Sequence, residues 1–321
     1  MIMENAPVQA PDLDPPERLN PEGEVRRVGV EIEFAGLRVC DVPPLVSRRF
    51  GGTIQPESDY RVTVASTRFG DFVVELDLQY AHAKGDGGFE RAVADAAGAL
   101  GELFAPVEIV APPIPYSELG ALDALVSDIR GYGAQGTASG MFAAYGCHLN
   151  PEVASLEARH IAAHLKAYLI LSAWLREDIG LDLTRQLTPF IDPFPTTYAR
   201  RVVDPSYWPD IAQLIDDYLE ANATRNRELD MLPLFAALDE DRVRRRLDEP
   251  RIKPRPTFHY RLPNSRVDEP HWRITREWQR WLRVERLAND PARLDDAARA
   301  FCSFHDRPIR WGWAREAAEW A

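Results

Sequence analysis

The chain has 321 residues, 45% hydrophobic and 27% charged, enough for a full core in one large domain or two ordinary ones. Its 50 acidic and 38 basic residues give a net charge of −12, which argues for a soluble protein and against nonspecific binding to nucleic acid or to an anionic membrane. No apolar run approaches the ~20 residues needed to span a bilayer. Cys40, Cys147 and Cys302 are too widely spaced for a zinc signature and odd in number for a disulfide framework, so a reducing cytoplasm is the expected location.

In chain order, residues 1–24 are Pro- and acid-rich, lack a basic-then-apolar signal pattern, and read as a disordered lead-in. Residues 27–34 alternate Val28, Val30, Ile32 and Phe34 with Gly29, Glu31 and Glu33, the period of a half-buried strand. One face packs on a core; the other carries two carboxylates roughly 7 Å apart. Such a pair either faces solvent or shares a divalent cation. A short helix over Val42–Phe50 and a Gly51-Gly52 turn come next. Strands follow at Thr53–Gln55, Arg61–Val64 and Phe72–Leu78, the last placing Glu75 and Asp77 on one face. The spacing predicts a helix over Phe89–Phe104, a strand at Val107–Val110 broken by Pro112, Pro113 and Pro115, and a helix over Tyr116–Arg130. A Gly-rich link, 131–140, leads to a strand over Met141–Asn150 and a long helix over Ser155–Glu177. Asp204-Pro205 caps a further helix carrying Trp208 to Leu219, and Asn226–Leu247 reads as helix interrupted at Pro233. Thr257–Leu262 is the last predicted strand, followed by a Trp-rich helix over Trp272–Ala288 and a helical tail to Trp320.

Strands early and in hairpin-like succession, with helices collected late, give an α+β order and not a regular parallel alternation. The expected division is a catalytic domain over 25–290 and a helical extension over 291–321. If the strands share one antiparallel sheet, their polar faces form a funnel holding Glu31, Glu33, Glu75, Asp77, Glu108, His148, Asn150, His259 and Arg261. Carboxylates with an occasional histidine suit Mg²⁺ or Mn²⁺, and an arginine among them can neutralise a transferring phosphoryl group. No P-loop, dinucleotide fingerprint, nucleophile elbow or H-E-x-x-H is present. His160 and His164, four apart on a helix, lack a third ligand and read as packing, and Arg242–Arg246 reads as a solvated face. Arg201, after a Pro-rich loop, and Arg266, in Asn264-Ser265-Arg266, are either nucleotide contacts or ordinary loop cations.

The order Gly29-Val30-Glu31-Ile32-Glu33-Phe34, Val107-Glu108-Ile109-Val110-Ala111-Pro112-Pro113-Ile114 and Gly146-Cys147-His148-Leu149-Asn150 resembles the amidoligase family of carboxylate–amine ligases. Residues 229–235, 255–262 and 278–285 resemble one branch of it. The resemblance implies a curved antiparallel sheet of glutamine synthetase type, with helices on one face, that binds ATP and two or three divalent ions. In such ligases ATP phosphorylates a carboxylate and an amine displaces phosphate from the acyl phosphate. Carried over, Glu31, Glu33, Glu108 and His148 match metal ligands, with Glu75 a further ligand candidate and Asn150 beside His148. Arg261 matches the arginine that stabilises transferred phosphate, and Asp77 lies near an aspartate that meets the substrate amine. One departure stands out: His259 occupies the position of a glutamate in the family's late Glu-x-Arg motif. A neutral imidazole can ligate a metal but removes a negative charge, which leaves two alternatives beside an ATP-dependent ligase: a metal-dependent amide hydrolase, and a degenerate ligase-fold binding subunit. The partners implied are small-molecule or peptide carboxylates and amines. The late Trp-rich helix could also pair subunits of a homo-oligomer.

Overall fold

The alternating run forms strand β1, Arg27–Phe34, in a computed structural model that describes residues 12–76, 106–137, 145–181, 191–308 and 311–321. Five further strands, β2 (Thr53–Ser58), β3 (Arg61–Thr67), β4 (Gly70–Leu76), β5 (Val107–Pro115) and β6 (Cys147–Pro151), complete an open sheet in the order β2-β3-β4-β5-β1-β6. Every neighbouring pair is antiparallel, so residues directly opposite share a face. Val62, Val74, Ile109, Ile32 and Cys147 lie opposite one another across five strands, and all are buried. The next rank, Arg61, Glu75, Glu108 and Glu33, points the other way. Sheet register therefore separates a greasy face from an acidic one.

The greasy face joins one continuous core with helices α1 (Pro43–Phe50), α2 (Gly120–Gly131) and α3 (Ala158–Ile179). Behind α3 lie α4 (Thr196–Val203), α5 (Ile211–Ala221), α6 (Leu232–Leu238), α7 (Glu240–Arg246), α8 (Ile274–Ala288), α9 (Pro291–Asp306) and α10 (Trp313–Ala317), ten α-helices among the described residues. The α+β class is as expected. Leu294, Phe301, Phe304 and Trp313, from the C-terminal helices, belong to that same core, and Trp313 Nε1 donates to the Ile170 carbonyl at 2.9 Å. Of the expected lead-in, residues 12–24 are held: Leu13 accepts from Trp278 Nε1 at 2.9 Å and Glu17 accepts from Arg26 at 2.8 Å through their carbonyls. Residues 1–11, the helix expected over Phe89–Phe104, and residues 77–78 and 141–144 of two expected strands lie outside the described residues.

Several expectations are corrected. The prolines do not break β5, which runs on to Pro115. Beyond Val110 it pairs only with β1, and a register shift between Val28 and Val30 leaves Pro112 and Pro113 unpaired; a proline is tolerated where no ladder donor is needed. Thr257–Leu262 is not a regular strand but lies antiparallel to β6 through single bridges, Leu149 with Tyr260 and Glu152 with Thr257. Leu229 meets Tyr260 from the other side. Pro233 starts α6 instead of interrupting a helix, and Asp239, accepting from Arg242 N at 3.0 Å, caps α7. Asp204 follows α4, a helix the periodicity did not reveal, while α5 is capped by Asp210 through Gln213 N at 2.9 Å. Eight residues after a Pro-rich run give too little repeat to see, although Tyr198, Val202 and Val203 form a buried stripe.

Residues 131–137 of the Gly-rich link are tied down, Gln135 N donating to Ala35 O at 2.8 Å and Thr137 N to Ser265 O at 2.9 Å. Gly36, at φ +87°, closes this corner, and a Cβ there would sit 2.5 Å from the Gly133 carbonyl oxygen. Gly36→Ala is expected to destabilise the fold by about 1–3 kcal/mol, seen as a lower urea midpoint with an unchanged slope.

Candidate functional site

The acidic rank lies at the middle of the sheet. Glu33 and Glu75 flank Glu108 in register, three carboxylates across β1, β5 and β4. Like charges directly opposite repel, so the rank needs cations. At its outer end Arg61 forms an ion pair with Glu75, which satisfies that carboxylate from within the protein. At the inner end Glu31 lies opposite His148, and Gly29 opposite Asn150. Glu31 accepts from His148 Nδ1 at 3.0 Å and from Asn150 Nδ2 at 3.1 Å. The other ring nitrogen of His148 lies 3.7 Å from Glu33 Oε1.

The segment beside β6 brings His259 and Arg261 to the same place. His259 is 3% exposed, its ring 5.5 Å from that of His148. Its Nδ1 faces Asp230 Oδ2 at 3.2 Å, and its Nε2 lies 3.9 Å from Glu31 Oε2. That Nε2 is buried with no hydrogen-bond partner among the described residues. Arg261, 6% exposed, donates to the Arg225 carbonyl. Arg255 Nη2 donates to Asn150 Oδ1 at 2.8 Å, so a guanidinium, an amide and Glu31 form one chain.

Charge states follow from these contacts. Burial alone would raise the Glu31 carboxyl, but the His148 hydrogen bond and the Arg255 guanidinium hold it below the usual carboxylate range. Burial pushes His148 down to about 3, against the pull of Glu31. Burial likewise pushes His259 down, against Asp230 and Glu31. At neutral pH the centre is therefore an ionised carboxylate between two neutral imidazoles, each with one lone pair.

Two groups of ligand atoms converge, with all atoms of a group within 4.8 Å of one another: Glu31, His148 and His259, and Glu33, Glu108 and His148. His148 is common to both. The buried Nε2 of His259 and the stacked carboxylates are what a divalent cation would satisfy, and the donor set suits one. Of the remaining sequence candidates, Asp77 lies outside the described residues. Arg201 pairs with Asp217 at 2.6 Å and Arg266 donates to the Gly180 carbonyl, so neither is in contact with the two groups. His160 and His164 pack together, 4.2 Å between ring centres, with His164 stacked on Phe258. In the expected solvated run, Arg244 instead donates to the Glu249 and Ile252 carbonyls. Sequence reasoning missed two contributors. Asp230, fully buried, orients His259; a lone acid inside the apolar run 229–235 was the available signal. Arg255 had no signal beyond its place next to Pro256.

A family model described as "Putative amidoligase enzyme" matches residues 24–283. The chain belongs to this family. No curated protein and no solved structure matches it. The family match spans every residue of the two groups, from Glu31 to His259, and ends within α8. Membership marks this amidoligase as an enzyme of the ligase kind. Among its described residues no helix is long and apolar enough to cross a membrane.

Proposed function

We propose that this amidoligase is an ATP- and Mg²⁺- or Mn²⁺-dependent carboxylate–amine ligase working through an acyl phosphate on a glutamine synthetase-like sheet. The observation that carries the proposal is the pair of ligand groups sharing His148 on the acidic face, with Arg261 buried beside them. Glu33 and Glu108 would hold one divalent ion and Glu31 and His259 another, with the single lone pair of His148 serving one of the two. Bound there, divalent ions would draw charge from the nucleotide phosphates and lower the barrier to phosphoryl transfer. A substrate carboxylate oxygen attacks the terminal phosphorus and ADP leaves; the amine nitrogen then attacks the acyl carbon, and phosphate leaves as the amide forms. Arg261, whose positive charge acts on both His148 and His259, would stabilise the migrating group. Asn150, held by Arg255, fixes the free side of Glu31. Asp77 is the candidate that receives the amine proton.

His259 is no gap in the ligand set, because its free nitrogen faces Glu31 and its other nitrogen is held by Asp230. That argues for a working site over a degenerate binding subunit. Purified protein given ATP, Mg²⁺ or Mn²⁺, and pools of amino acids and amines is expected to release ADP and phosphate only when a carboxylate substrate is present. Absence of ATP binding by calorimetry, with the protein folded, would sink the proposal; turnover of an amide with metal alone would replace it with a hydrolase.

A further inference from the structure

The two ligand groups differ in chemistry, and the difference lies in residues 230 and 259. Glu33 and Glu108 offer two carboxylates, Glu31 and His259 one carboxylate and one imidazole, and His148 adds its single lone pair to one group or the other. Mg²⁺ favours oxygen ligands, whereas imidazole nitrogen favours first-row transition ions, with affinity rising along Mn²⁺, Co²⁺ and beyond. A nitrogen donor is useful only if its lone pair is aimed at the ion. In His259 the buried Asp230 carboxylate, which also accepts from Leu232 N at 3.0 Å, accepts a hydrogen bond from Nδ1–H at 3.2 Å and so fixes the ring proton there. The lone pair is thereby left on Nε2, a buried atom with no hydrogen-bond partner among the described residues, 3.9 Å from Glu31. A carboxylate behind a histidine that presents its far nitrogen is the arrangement that fixes tautomer and raises ligand basicity in metal sites.

We infer that the Glu31–His148–His259 group is a transition-metal site, selective for ions such as Mn²⁺, Co²⁺ or Zn²⁺ over Mg²⁺, and that Asp230 sets this selectivity as a positioning residue. The inference rests on the metal-binding part of the proposed ligase function, not on its nucleotide or its substrates. His148 has one lone pair when neutral. With Nδ1–H donating to Glu31 at 3.0 Å, the lone pair on Nε2 serves the Glu33–Glu108 group; the opposite tautomer serves the Glu31 group. The Glu31 group therefore keeps at least one imidazole, His259, in either tautomer, and Asp230 is what guarantees it.

The test is metal binding to the full chain stripped with a chelator. Co²⁺ is followed by its visible absorption, and Mg²⁺, Mn²⁺ and Zn²⁺ by calorimetry. Carboxylate sites also prefer later ions to some degree, so the decisive quantity is the change in the Co²⁺-to-Mg²⁺ affinity ratio on substitution. His259→Glu is expected to lower that ratio at least about tenfold and to change the Co²⁺ spectrum as nitrogen is lost from its coordination. Asp230→Asn keeps the acceptor for Leu232 N but places an amide donor against Nδ1, driving the ring proton to Nε2. It should weaken Co²⁺ about 10–100-fold and leave Mg²⁺ within about twofold, and because it changes no ligand it remains informative if His259→Glu fails to fold. An unchanged ratio in either folded variant overturns the inference. ATP-dependent phosphate release that persists in such a variant would leave the ligase function standing while the selectivity falls. No divalent binding by the native protein at all would end both.

Discussion

Glu31→Gln is expected to cripple divalent binding at the Glu31–His148–His259 group while leaving the fold intact. Glu31 sits between His148 and Asn150, accepts from both, and faces the free nitrogen of His259. It is the one carboxylate in its ligand group. Gln preserves shape but removes the charge and one of the two acceptors, and its amide would present a donor to His148 or to Asn150. Divalent affinity of that group should fall by at least about 100-fold, and the proposed ATP-dependent phosphate release by about 10³-fold, roughly 4 kcal/mol in barrier height. Stability should fall modestly, because the fold holds the Glu31 carboxyl below its usual range and Gln loses that stabilised charge. The chelator-treated variant should therefore still fold but melt below the chelator-treated native chain. Calorimetry with Mn²⁺, a phosphate-release assay and a thermal melt on the same preparation check all three. Full metal affinity in the variant would remove Glu31 from the site.

The second large effect is structural. Glu285→Leu is expected to cost about 3–5 kcal/mol of stability. Arg26 and Glu285 form a bidentate pair at 2.6 and 2.9 Å, with side chains only 3% and 0% exposed, and Trp281 Nε1 donates to the same carboxylate at 2.7 Å. Burial works against the Arg26 charge, yet the Glu285 carboxylate beside it keeps the guanidinium above its ordinary pKa. Removing the acid leaves that cation buried with only carbonyl partners, those of Glu17 and Glu152 at 2.8 Å. The double substitution Arg26→Met with Glu285→Leu should recover most of the loss, because the uncompensated charge goes with it. Urea unfolding of the two single variants and the double variant measures the coupling. Arg26 stands immediately before β1 and Glu285 lies on α8, so this pair joins the strand carrying Glu31 to the C-terminal helices. Metal affinity of the folded double variant should stay within a few-fold of the native value, since neither residue touches the two ligand groups.

What could be read from the residues alone followed from short-range periodicity. The alternation in 27–34 separated Glu31 and Glu33 from Val28, Val30, Ile32 and Phe34, and the same period-two rule placed Glu75, Glu108 and His148 on strands that do share one sheet. The long helices showed through their apolar stripes. The short ones did not: α4 is too brief for a period, and the division between α6 and α7 depends on one capping aspartate. Side chains that reach the site from irregular chain were the least legible. Asp230 and Arg255 lie on segments whose conformation is set by contacts with β6 and with each other's neighbours, not by local preference.

The sequence by itself determined which residues face apart on each strand, and hence that an acidic face exists, because side-chain alternation is a property of the extended backbone. Only the tertiary structure decided what that face can hold. Register between strands distant in the chain set Glu33 against Glu108 and Glu31 against His148. Bridges to β6 carried His259 in beside them, and a buried aspartate directed its free nitrogen at Glu31. Against the family's pattern His259 stood where a carboxylate was expected; in the fold the Asp230 carboxylate stands behind that imidazole, whose other nitrogen faces Glu31.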